Sequence, residues 1–294
     1  DGKYDIKVGD ITMTVNAAQG GKIVSYRLGD KEVLSQTRFP NSFGSTFWTS
    51  PQSEWNWPPV AEYDRKAFKA EVNGNVLVLT GEKSERFGYR VRKEFKADAK
   101  NNSIAITYTI VNESGETRKV APWEISRVPN GGMLFFDAKE ATPANNMKGM
   151  NFVFEQKAAW FTLDEDKENR KINADGKGWL AFSDNGLLFV KKFQDLKAGE
   201  EAPAEAEIQI YANPGKTFVE TGGKYAGERM PLYIKPNHKV SAQELKDCMR
   251  DQYEGTPLDI TQGPDAGPWN SKLRHGSLTF QLDSVNYWYE RPIA

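Results

Sequence analysis

Phe68-Lys69-Ala70-Glu71-Val72-Asn73-Gly74-Asn75-Val76-Leu77-Val78-Leu79-Thr80 is the stretch that decides the fold class. Two short runs flank Asn73-Gly74, a pair that tolerates the positive φ angles of a tight turn. The expectation is an antiparallel hairpin, and similar signals recur outward from it. Upstream, Ile11-Thr12-Met13-Thr14-Val15 alternates apolar and polar at period two, as a half-buried strand does. Gly20-Gly21 then punctuates before a second strand over 22–28, and Gly29-Asp30 turns into a short stretch at 32–34. Downstream, runs at 90–97 and 103–111 flank a polar turn, and runs at 179–183 and 187–192 flank Asp184-Asn185-Gly186. Residues 205–211 alternate again. Strands at this spacing, with Gly/Asn turns and few helical patterns, predict an all-β sandwich of antiparallel sheets.

The character changes after about Gly223. Ser241-Ala242-Gln243-Glu244 is a capping box, followed by helical spacing through Leu245, Met249 and Tyr253 and a stop at Gly255-Thr256-Pro257. A Gly/Pro-rich loop and a closing hairpin, 278–282 with 286–289, complete this mixed segment. The division read from the sequence is 1–223 for a β-sandwich domain and 224–294 for a C-terminal segment, natural or joined as a fusion or composite.

Composition narrows the chemistry. The 294 residues carry 39 Lys plus Arg against 40 Asp plus Glu, so no basic footprint for nucleic acid or an anionic membrane exists. No apolar run approaches the roughly 20 residues of a membrane-spanning helix. One cysteine excludes an internal disulfide framework and a Cys-rich zinc site. The two histidines, His238 and His275, lack metal-ligand spacing, and residues 1–223 contain neither His nor Cys. No metal and no cofactor is expected. The opening Asp1-Gly2-Lys3 reads as a processed chain, with periplasmic or secreted placement expected and cytoplasmic placement the alternative.

The densest candidate site is Phe47-Trp48-Thr49-Ser50-Pro51-Gln52-Ser53-Glu54-Trp55-Asn56-Trp57-Pro58-Pro59. Aromatic faces stack on the apolar faces of sugar rings, and amides and carboxylates hydrogen-bond hydroxyls. The other reading is a Trp/Pro loop covering one end of the core. Ala121-Pro122-Trp123-Glu124-Ile125-Ser126-Arg127 follows, with Glu124 and Arg127 either facing a cleft together or pairing with each other. Glu220, in Phe218-Val219-Glu220-Thr221-Gly222-Gly223, is a carboxylate at a strand end and a candidate general base.

These residues carry two resemblances. About 5–223 resembles the galactose-mutarotase-like superfamily of aldose 1-epimerases and their relatives, closest to an uncharacterised bacterial branch. The likeness lies in Gly20-Gly21-Lys22-Ile23-Val24-Ser25, in the Trp/Pro/Gln stretch 44–59, and in Tyr108 to Asn112 leading to Pro122 to Arg127. It implies a β-supersandwich with a sugar-sized cleft on one sheet. In true mutarotases a histidine protonates the ring oxygen and a glutamate removes the anomeric proton. The glutamate's match here is Glu220 and the histidine's is Trp123, whose indole N–H has no useful acidity. About 229–294 resembles an internal stretch of bacterial N-terminal-nucleophile cysteine dipeptidases, through Pro231 to Pro236, Met249 to Asp259 and Tyr289 to Ala294. Those enzymes use an N-terminal cysteine, whereas the only thiol here is Cys248.

The expected function is therefore carbohydrate binding without standard epimerase activity. Trp48, Trp55 and Trp57 form the stacking wall, Gln52, Glu124 and Arg127 hydrogen-bond a sugar or oligosaccharide, and Glu220 supplies a carboxylate. The enzyme alternative is an aldose 1-epimerase-like activity that uses Glu220 with Glu124 or Tyr63 as acid. A dipeptidase-related role for the tail is a further alternative.

Overall fold

The computed structural model describes residues 2–36, 43–50, 52–118, 120–129, 133–138, 152–155, 158–162, 170–174, 176–184, 187–193, 208–212, 218–222 and 277–282. They form two sheets packed face to face. The first contains β1 (Lys3–Val8), β2 (Ile11–Asn16), β3 (Lys22–Leu28), β4 (Lys31–Glu32), β5 (Ser45–Ser50), β10 (Ala121–Pro129), β14 (Arg170–Ala174), β17 (Ile208–Ala212) and β18 (Phe218–Gly222). Its order is β1-β2-β3-β5-β10-β18-β17-β14, with β4 paired to β3. The second contains β6 (Lys69–Asn73), β7 (Val76–Thr80), β8 (Tyr89–Asp98), β9 (Ser103–Asn112), β11 (Met133–Ala138), β12 (Phe152–Glu155), β13 (Ala158–Thr162), β15 (Gly176–Asp184), β16 (Leu187–Phe193) and β19 (Ser277–Leu282). Its order is β12-β13-β11-β15-β16-β19-β9-β8-β7-β6.

Period-two patterning builds these strands. Ile11, Met13 and Val15 of β2 are buried and alternate with half-buried polar neighbours. In β8, Tyr89, Val91, Lys93 and Phe95 are buried between Arg90, Arg92, Glu94 and Lys96. Rings from the two sheets meet in the space between them. Tyr26 packs edge-on to Phe189 with centroids 5.3 Å apart, and Phe47 stacks on Tyr108 at 4.6 Å. Phe95, Phe135 and Phe136 show no exposure, so truncating any of them costs about 3–5 kcal/mol.

The deciding hairpin forms as β6 and β7, with Asn73 opposite Val76. The two loop residues are therefore Gly74 and Asn75, and only Gly74 takes positive φ, at 62°. Glycine first in a two-residue loop is the II′ arrangement, one position on from the Asn-Gly placement expected. The hairpins expected over 90–111 and 179–192 form as β8–β9 and β15–β16.

The expected partner strand at 286–289 and the expected helix after Ser241 lie outside the described residues. Strand β19, at 277–282, runs parallel to β16 on one side and to β9 on the other. It occupies a gap that would otherwise leave two unpaired strand edges within the second sheet. A strand of the 224–294 segment thus sits inside a sheet built by the preceding residues.

Helix is scarce. A single 3-10 turn at Gln52–Glu54 and one turn of α-helix, α1 (Ala61–Asp64), interrupt the loop from β5 to β6. Neither is expected from the sequence reading. Gly20 anchors this loop: its N–H donates to Lys66 O at 2.8 Å, with φ of +66°. A Cβ at Gly20 would lie 2.1 Å from Asp64 O, so only glycine allows the approach. No helix among the described residues is long and apolar enough to cross a membrane.

Candidate functional site

Strands β5 and β10 lie at the centre of the first sheet, and their described side chains are buried on both faces, apart from half-buried Pro129 at the end of β10. Alternation divides β10 into two sets. Trp123 and Arg127 go to the outer face, where Trp48 of β5 is directly opposite Trp123. Glu124 and Ser126 go to the inner face, opposite Phe47 and Ser45.

On the outer face four tryptophans form a cluster centred on Trp48. Trp48 meets Trp123 at 5.2 Å, Trp55 at 5.7 Å and Trp57 at 6.0 Å, each near perpendicular. Edge-to-face contact of this kind is favoured by the ring quadrupole. Trp48 Nε1–H donates to Asp64 Oδ1 at 2.8 Å and Trp55 Nε1–H to Thr49 O at 2.9 Å. Trp48, Trp55 and Trp123 are 7%, 2% and 3% exposed, whereas Trp57 is 68% exposed. Two members of the expected stacking wall thus spend their faces on each other and on the sheet. Trp57 is the one that presents a ring to solvent. Trp123 Nε1 and Ser50 Oγ are buried with no hydrogen-bond partner among the described residues.

Arg127 lies beneath this cluster, its guanidinium carbon 5.9 Å from the Trp48 ring. Its Nη1 donates to Thr46 Oγ1 at 3.3 Å and to Phe43 O at 3.4 Å. Gln52 is tied back into its own loop by donating to Asn56 O at 3.0 Å. Glu220 is placed by backbone register alone: it lies opposite Arg127 on one side and Tyr211 on the other. The structure therefore brings Trp48, Trp57, Trp123, Arg127 and the Glu220 backbone position to one region of the first sheet.

Glu124 goes elsewhere, which corrects its expected place among the sugar-facing groups. It has no exposed surface, and its Oε1 lies 2.6 Å from Lys191 Nζ, also fully buried. Lys191 Nζ is 3.1 Å from Ser126 Oγ, which in turn is 2.8 Å from Ser45 Oγ. The physical reason is the strand period: residues three apart on a strand point to opposite faces, so Glu124 and Arg127 cannot share one. Tyr63 is likewise buried, its hydroxyl aimed at Tyr89 O, and desolvation pushes its phenol well above the usual tyrosine range. Neither group is placed to act as an acid on the outer face.

A second buried lysine lies close by. Lys93 is 1% exposed and donates to Gly20 O at 2.9 Å and Gly21 O at 3.3 Å. The rings of Phe68, Phe47 and Tyr108 surround its ammonium at 5.0, 5.7 and 5.8 Å. A Cβ on Gly21 would come within 3.3 Å of Lys93 Cδ, so the glycine pair leaves room for this side chain. Burial lowers the Lys93 ammonium to about 7, against the opposing pull of Glu124 and Asp64. The sequence reading did not single out Lys93, Lys191 or Glu54. Lys93 was detectable as the one charge on the apolar phase of Tyr89-Arg90-Val91-Arg92-Lys93-Glu94-Phe95. Lys191 lies in an apolar run with no alternation to mark it.

Comparison with known proteins places the fold. A galactose mutarotase-like protein from Lactobacillus casei ATCC 334 superposes with a TM-score of 0.51 at 10% identity, covering 80% of this chain and 96% of that one. The Slr1438 protein from Synechocystis sp. PCC 6803 gives a TM-score of 0.51 at 11% identity, over 75% of this chain and 84% of its own. The chain thus has the galactose mutarotase-like β-sandwich fold, as the first resemblance implies. Residues 207–283 match Peptidase family C69, which agrees with the second resemblance. That match begins one residue before β17, takes in β18, and ends one residue after β19. No curated protein matches the chain.

Proposed function

We propose that the chain binds carbohydrate on the outer face of β5, β10 and β18 and lacks standard epimerase chemistry. Trp57 carries this reading: it is 68% exposed and held edge-on by Trp48, an aromatic platform open to solvent. Exposed aromatic rings of this kind suit the apolar face of a sugar ring. Arg127, and Glu220 at the facing register position, supply the polar side of the site. Trp123 stands where the mutarotase resemblance calls for an imidazole acid, and an indole cannot deliver that proton. Glu124 contributes from the inner face by holding Lys191, and makes no contact with the sugar.

Titration with mono- and oligosaccharides at millimolar concentration, followed by tryptophan fluorescence, tests the reading. Binding that Trp57→Ala abolishes while the fold persists supports it, and no spectral change with any sugar overturns it. Polarimetry on α-galactose and α-glucose tests the epimerase alternative. Rotation at the buffer rate, unchanged by Glu220→Gln, is the expected result.

The match of 207–283 to Peptidase family C69 favours a second reading, a dipeptidase-related role for that segment. Dipeptide hydrolysis by the full chain, lost in Cys248→Ser, would support it, and absence of turnover would remove it.

A further inference from the structure

The loop that carries the tryptophans also carries a carboxylate that the site described above does not use. Glu54 ends the 3-10 turn immediately before Trp55. Its Oε1 accepts from Tyr89 Oη–H at 3.1 Å. Arg118, in the segment leading into β10 and Trp123, brings Nη1 to 3.7 Å from the same oxygen and Nη2 to 3.0 Å from Glu116 Oε2. A carboxylate and a guanidinium that satisfied each other would form two parallel bonds near 2.7–2.9 Å. Here they stop short, and Glu54 Oε2 and Arg118 Nε are both buried without a hydrogen-bond partner among the described residues. Leaving a buried donor or acceptor unmatched is costly, since its hydrogen bonds to water are lost without replacement. Desolvation raises the Glu54 carboxyl above its usual range, outweighing Tyr89, Arg118 and Arg86, which lower it.

The vacant atoms have a definite complement. Oε2 accepts, Nε–H donates, and a hydroxyl does both at once. The pair carries opposite charges, so an anion would be repelled by Glu54 and a cation by Arg118; a neutral ligand escapes both penalties. The Glu54 and Arg118 side chains remain 18% and 31% exposed, so the pair lies just beneath the surface, and a ligand reaches Oε2 and Nε by a turn of these side chains. We propose that Glu54 and Arg118, with Tyr89 steadying the carboxylate, form a clamp at the rim of the tryptophan cluster that takes neighbouring hydroxyls of a neutral polyol. This rests on the carbohydrate reading and gives it a second polar contact, separate from Arg127 and Glu220.

Calorimetric titration of the full chain with a sugar panel, including deoxy analogues, tests the clamp. Glu54→Gln and Arg118→Met are expected to weaken binding at least ten-fold with the thermal melt retained. One deoxy analogue should bind the unsubstituted protein more weakly than its parent, yet bind Glu54→Gln as well as the parent does. If Glu54→Gln does not fold, Arg118→Lys decides, because it keeps the charge and removes the Nε–H: a ten-fold loss supports the clamp and unchanged affinity overturns it. Unchanged affinity in all folded variants overturns the clamp and leaves the carbohydrate reading standing. A structural ion pair alone would lower the melt and leave affinity intact, which also overturns it. No binding of any sugar by the unsubstituted protein overturns both.

Discussion

The two faces of β10 solve different problems with adjacent residues. Outside, Trp123 and Arg127 join an aromatic cluster that ends in one exposed ring. Inside, Glu124 and Ser126 join a buried polar network with Lys191 and Ser45. Both faces hold polar groups that are nearly or fully buried, yet only the outer one reaches solvent, through Trp57. The inner network is a packing device: a buried pair is only weakly stabilising overall, but breaking it is costly. The lesson is that burial of a charged residue in this fold does not mark the site. What distinguishes the outer face is one exposed ring, Trp57.

The contrast breaks most visibly at Glu124. Glu124→Gln leaves the Lys191 ammonium buried without its carboxylate, and the expected loss is about 3–5 kcal/mol in denaturant unfolding. The double change Glu124→Leu with Lys191→Met should recover most of that loss. If Glu124→Gln instead abolishes sugar binding at unchanged stability, the division of faces is wrong.

Lys93 sharpens the inner face further. Its folded value of about 7 lies below the ordinary 10.5, so the folded state holds the proton more weakly than the unfolded chain does. Below pH 7 both states are protonated and the cost of the buried charge is fully present. Between about 7 and 10.5 the unfolded chain holds more protons, so stability rises with pH, by up to roughly 1 kcal/mol per unit. Urea midpoints at pH 7 and pH 9 measure this, and Lys93→Met should flatten the slope.

Trp57→Ala probes the outer face and has the smallest expected effect on stability. The ring is 68% exposed, so the unfolding midpoint should move by less than about 0.5 kcal/mol while sugar affinity falls. A large loss of stability would assign Trp57 to the structural cluster with Trp48 and Trp55, and remove the open platform.

Much of the fold was readable residue by residue. Period-two runs and Gly/Asn turns located β2, β3, β6 to β9, β15 and β16, because a strand with one buried face declares its phase locally. The tryptophan loop and β10 were also readable as the candidate region. Which of its residues face outward was not, since Trp48, Trp55 and Trp57 look alike in sequence. Burial separates them through rings that meet across strands. Glu54 was passed over as one more polar residue in a Trp/Pro loop, because its partners Tyr89 and Arg118 are 35 and 64 positions away.

By itself the sequence determined the class of chemistry open to this protein. With no His or Cys before residue 224, residues 1–223 supply neither an imidazole nor a thiolate. It also determined that most strands would pair antiparallel through hairpins, because alternation and turn residues act over a few positions. Only the tertiary structure decided that Glu124 belongs to Lys191, that Lys93 ends between two glycine carbonyls, and that a strand from 277–282 closes the second sheet. Those pairings join residues far apart in the chain, and their energies exist only once water has been excluded from the space between the sheets.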